Sequence, residues 1–165
     1  MSGSRIAATI VGLAGLGVLG WMHVALPELV ASHFGPSGAP DAWMSRSGLI
    51  ATFVAGQALV FAVAPLGTTL VKRLPPELIN LPNKDHWLAP ERRAEAVDRL
   101  ANHAWGFSAA IGAFFVLVEV LVLRANLAHA PLENGPFFVG LAAVFAFTIA
   151  WVARLNAAFR VPPSS

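Results

Sequence analysis

Four long apolar stretches constrain this chain more than any other feature. They are Ile6–Leu26, Leu49–Val71, Ala104–Leu123 and Phe137–Ala153. The first and fourth contain no formal charge, the second has Gln57 as its most polar side chain, and the third is interrupted by one carboxylate, Glu119. A helix needs roughly 20 apolar residues to cross a hydrocarbon core about 30 Å thick, and about 17 is the lower limit. The first three stretches meet the requirement; the fourth sits near the limit and gains length by borrowing Leu155 or Ala157. One such stretch is compatible with a soluble core helix, but four in succession are not. Only 12% of the residues are charged, against about 25% in an average soluble domain. The expected fold is an all-α membrane protein, one integral membrane domain over residues 1–165, with spans at about 6–26, 49–71, 104–123 and 137–153.

The remaining composition excludes several classes. The chain has no cysteine, which removes disulfide frameworks, iron–sulfur clusters, Cys-ligated zinc and thiol nucleophiles. A formal charge of +2 gives no footing for nucleic acid. The first stretch follows a basic residue, Arg5, as a signal peptide would, but it is longer than a 7–15-residue signal core and lacks a small-residue cleavage site after it. It reads as a retained helix.

Basic residues set the expected orientation. Arg5 precedes the first span; Lys72, Arg73, Lys84, Arg92, Arg93 and Arg99 lie between the second and third; Arg154 and Arg160 follow the fourth, nine in all. Arg46 and Arg124 are the two on the other side. Nine against two places both termini and loop 72–103 in the cytoplasm, and loops 27–48 and 124–136 outside a bacterial inner membrane. Trp21 and Trp43 then fall near the outer interface, and Trp87, Trp105 and Trp151 near the inner one, where indoles prefer to sit.

The connecting segments carry the polar detail. The piece "RLPPELINLPNKDHWLAP" (73–90) has four prolines, each without an amide donor, so it is expected to be extended or turned. Its Leu78, Ile79, Leu81, Trp87 and Leu88 suggest that it lies on the membrane surface. From Pro90, suited to a first helical position, an amphipathic helix is expected with Val97, Leu100, Ala101 and Ala104 on one face and a Glu95–Arg99 pair at i,i+4. It should run on into the third span. In the first span Ala8, Gly12, Gly15, Gly17 and Gly20 allow close helix approach, inside the bundle or, in the other reading, at a dimer face. The outer loop 27–48 is expected to fold over the mouth of the bundle, pinned by Pro27, Pro36, Pro40 and Trp43.

Leu26-Pro27, His33-Phe34 and Gly38-Ala39-Pro40-Asp41 followed by Trp43, together with "INLPNKDHWLAPERR" (79–93), resemble a bacterial membrane family known as a domain of unknown function. That domain also opens SdpI-type immunity proteins, and this chain is similar to a short four-helix subgroup. The resemblance covers most of the chain in order and implies relatives rather than a reaction. SdpI-type proteins protect a producing cell from its own secreted peptide toxin and signal by holding a repressor at the membrane.

Candidate site residues follow from polarity at one level of the membrane. A carboxylate in a spanning helix costs roughly 2.5–3.5 kcal/mol at the centre. On the expected span Glu119 lies four residues below Leu123, about 6 Å deep, and His23 three residues below Leu26, about 5 Å deep. Both would lie beneath a loop bearing His33, Asp41 and Trp43. His23, His33, Asp41 and Glu119 together could bind a divalent metal such as zinc or act as a protonation switch. In the other reading they are structural: Glu119 pairs with Arg124, His23 bonds a neighbouring helix, and His33 and Asp41 tie the loop. Gln57 is expected to bond across helices. His86 and His103 read as interfacial polar residues. Ser32, Ser37 and Ser45 share the loop with His33 and Asp41, but no nucleophile elbow, P-loop, dinucleotide glycine motif, HExxH or CxxC is present. The expectation is therefore a non-enzymatic protein without a resident cofactor. It binds or senses through loop 27–48, with the bilayer and a peptide or larger membrane complex as partners. An accessory subunit and an ion or solute transporter are the alternatives.

Overall fold

The computed structural model describes residues 2–161. Four of its helices are long and apolar enough to cross a membrane: α1 Gly3–Ala25, α2 Arg46–Arg73, α4 Arg93–Ala128 and α5 Asn134–Ala158. The four-span reading is borne out. The α-helices are longer than the apolar stretches because caps and tertiary partners, rather than hydropathy, decide where they stop. Ser2 caps α1 and Ser45 caps α2, each hydroxyl accepting an amide of the first turn, as short hydroxyl side chains do at helix starts. At their other ends Leu26 and Leu74 turn extended, with ψ of 147° and 146°. Each precedes a proline, whose ring disfavours helical backbone in the residue before it.

The outer segment, expected as a structured loop folded over the mouth of the bundle, is more regular than a loop. It forms a β-hairpin, β1 Leu29–Phe34 paired antiparallel with β2 Pro40–Ser45. Gly38 makes the turn possible by adopting φ +82°, a conformation open to glycine at no steric cost. Pro40 opens β2 opposite Phe34, where no ladder donor is needed. Trp43 pins nothing; it is 57% exposed.

The segment after α2 also departs from expectation. It makes a single 3₁₀ turn at Pro76–Leu78 and the short helix α3, Lys84–Trp87. Ile79, Leu81, Trp87 and Leu88 do not lie on lipid. They are buried in a core with Val71, Ala96, Val97 and Phe159, because the return of α5 to this end supplies Phe159 as an apolar partner. Leu78 alone of the five stays exposed. The helix expected from Pro90 begins at Arg93, since Ala89–Arg92 form a turn closed by Arg92 and Arg93 amides on the Ala89 carbonyl. From there α4 is continuous through the third apolar stretch, as expected, and Glu95 and Arg99 pair at 2.6 Å.

The packing is centred on α4, which touches α1, α2 and α5, while α1 also touches α2. Close approach rests on small residues. Gly12 faces the Phe61 ring, Gly112 of α4 lodges between Phe61 and Val11, and Ala8 is buried. Gly17 and Gly20 face open space, so the small-residue set divides between bundle packing and a free side. Helix α5 leans on α4 through Gly140, against Phe114 and Leu117, and buries no residue fully. A second core, under the hairpin, joins Leu19, Met22, Leu26, Val30, Leu49, Val122 and Leu123.

Candidate functional site

The hairpin is held to the bundle by side chains that replace missing strands. Asn126, in the last turns of α4, accepts the Ala31 amide at 2.7 Å and donates to the Ala31 carbonyl at 3.0 Å. One side chain thus occupies the outer edge of β1 as a neighbouring strand would. Leu132 donates its amide to the Gly38 carbonyl, and Asn134 donates to the Pro36 carbonyl. At the base Arg46 donates to the Leu26 carbonyl and to Glu28. Val30 and Ala31 are buried beneath. The hairpin is therefore a fixed platform.

Its free surface bears three of the expected residues. His33 Nδ1 and Asp41 Oδ1 are 2.5 Å apart, with side chains 70% and 53% exposed. They meet because register irregularities lie between Ala31 and His33 and between His33 and Phe34, and an extra residue at a bulge re-aims a side chain. Trp43 lies two residues after Asp41 in β2, opposite Ala31, and is exposed.

Glu119 and His23 do not join them. Helix α4 continues to Ala128, nine residues beyond Glu119, so about 14 Å of helix separates the carboxylate from the end that meets the hairpin, at 1.5 Å per residue. The helix outruns its apolar stretch because Asn126 and the hairpin give its last turns partners. Glu119 is fully buried, accepts a 2.6 Å hydrogen bond from Gln57 Nε2, and has no hydrogen-bond partner at Oε2. The Gln57 amide lies flat on Gly15, where a Cβ would come within 2.2 Å of Nε2. The expected cross-helix bond of Gln57 is thus made, and its partner is the intramembrane carboxylate. Arg124 instead pairs with Glu133 at 2.7 Å. His23 is exposed on α1. Among the described residues no three His, Asp or Glu side chains converge on one point, so the four proposed metal ligands are not brought together.

At the opposite end the polar residues cap helices. Trp87 Nε1 and Asn83 Nδ2 both donate to the Phe159 carbonyl, and Arg99 donates to Ala158. Arg93 donates to the Val71 and Leu74 carbonyls at the end of α2. Trp151 donates to the His103 carbonyl, and Arg92 to that of His86. Sequence reasoning missed Asn126, Asn83 and Arg93. Each is a polar residue at the end of a helix or turn, and nothing in the local pattern distinguishes one aimed at a distant carbonyl from one in solvent.

Comparison with known proteins reaches the same region. A protein of the archaeon Archaeoglobus fulgidus, named only "Uncharacterized protein", is 33% identical over 108 residues, covering 62% of this chain and 58% of its own length. The chain thus spans less than two thirds of that relative. No solved structure matches. Residues 8–57 match the family model described as "Domain of unknown function (DUF1648)", a stretch that begins in α1, takes in the whole hairpin and ends at Gln57.

Proposed function

We propose that this is a non-enzymatic binding or sensing protein of a bacterial-type cytoplasmic membrane, with the hairpin outside and both termini inside. The carrying observation is the platform itself. A hairpin locked on one edge by Asn126 presents His33, Asp41 and Trp43 on its free surface. An exposed tryptophan on a hairpin that also carries a polar pair is a combination that recognition surfaces favour. Of the motifs that carry the family resemblance, His33-Phe34 and Gly38-Ala39-Pro40-Asp41 with Trp43 lie in the hairpin, which supports recognition at this face. The excess of basic residues at the opposite end supports the orientation.

Native mass spectrometry of the protein extracted gently from its own membranes tests this reading. A bound peptide or small molecule that is lost in His33→Ala/Asp41→Ala, with membrane abundance unchanged, is the expected result. An unliganded chain from both preparations overturns it. A second reading, an accessory subunit, is favoured by α5, which exposes Phe138, Val139, Phe145 and Ile149 while leaning on α4. Recovery in a large assembly selects that reading.

A further inference from the structure

Helices α1 and α2 leave between them a lengthwise groove of about 340 Å³. Gly12 and Ala58 keep its walls low, Phe61 closes it beneath, and Leu13 and Leu16 at its rim are 63% and 57% exposed. It therefore opens sideways, toward where lipid lies. From Ala8 to Leu16 it runs about 12 Å along α1 at 1.5 Å per residue. A slot of that shape, lined mostly by carbon with Thr9 and Gln57 as its polar side chains, takes a flexible hydrocarbon chain.

One end of the slot is cationic. Arg5 precedes Ala8, Thr9, Gly12 and Leu16 by three, four, seven and eleven residues, the spacing of a single helix stripe. It also lies over the Trp105 ring, itself part of the lining, at 5.5 Å. Arg5 is exposed and makes no salt bridge among the described residues. Helix side chains lean toward the N-terminus, so this guanidinium reaches out of the groove toward headgroup level, where long basic side chains come to rest.

We propose that this groove binds one anionic phospholipid, with an acyl chain between α1 and α2 and its phosphate at Arg5. The slot and the unpaired cation at its mouth match the two ends of such a molecule, and neither is used by the hairpin site.

The test is native mass spectrometry of the full chain released from vesicles of equal parts phosphatidylglycerol and phosphatidylcholine. One retained phosphatidylglycerol is expected in preference to phosphatidylcholine. Arg5→Gln should reduce that preference about fivefold, the equivalent of the roughly 1 kcal/mol that a juxtamembrane basic residue contributes. Ala58→Phe, and separately Thr9→Phe, fill the slot and should abolish retention of both lipids. Ala146→Phe, on the outward side of α5, should leave it unchanged. Retention that survives both slot-filling variants, or a headgroup preference unmoved by Arg5→Gln, overturns the proposal. So does a second copy of the chain found in place of lipid.

Discussion

At the scale of single residues, the decisive arrangement is the stack Gly15–Gln57–Glu119. The glutamine amide bridges the side-chain-free Cα of Gly15 on α1 and a carboxylate on α4, so all three helices of the inner bundle meet at one side chain. Gly15→Ala should push Gln57 off its partner. Overpacking of a filled core costs about 1–3 kcal/mol, and a lowered midpoint in detergent unfolding would register it. Glu119→Gln should be tolerated within about 1 kcal/mol, because an amide still bonds Gln57. Glu119→Leu strands a buried amide and should cost about 1–3 kcal/mol; equal stability of the two variants would contradict this. Asn126 matters in the same way for the hairpin. Asn126→Ala removes both partners of Ala31 and should cost about 2 kcal/mol, with faster hydrogen exchange at the Ala31 amide as the local sign.

At the scale of elements, helix ends explain most of what the sequence reveals and what it conceals. Span number and order were legible because a 20-residue apolar run has one stable form in lipid, where each backbone donor must find an internal acceptor. The hairpin was not. Leu29–Phe34 and Pro40–Ser45 lack a clean apolar–polar alternation, because their pairing is irregular on both sides of His33, and the free edge of β1 is completed by Asn126, 95 residues away. Glu119 stood out as an intramembrane carboxylate, but its distance from the hairpin depended on how far α4 runs past the apolar stretch, to Ala128. The 79–93 segment was similarly opaque: its Trp87 looks interfacial until Phe159 is placed against it edge-on, with ring centroids 5.6 Å apart. Trp87→Phe should keep that packing while losing the indole bond to the Phe159 carbonyl. A loss of about 1 kcal/mol is expected, and increased protease cleavage near the end of α5 would reveal it.

At the scale of the whole molecule, the arrangement is a three-helix unit with a fourth helix at its side, closed by a hairpin at one end and a small apolar core at the other. The absence of cysteine makes its sidedness directly measurable with single introduced thiols. Ser37→Cys, at the hairpin turn, should react with a membrane-impermeant maleimide in intact cells. Lys84→Cys, in α3, should react only after permeabilisation. The reverse pattern would invert the proposed orientation and place the platform inside.

The central position of α4 also has a meaning in time. Ribosomes deliver about 5–20 residues per second, so α1 and the hairpin wait on the order of 5–20 s before the helix that packs against them emerges. During that wait Gln57 has no carboxylate and Ala31 no asparagine. The early half of the chain is left with polar groups in search of partners, and the last helix to join the inner bundle acts as the latch that ends its assembly.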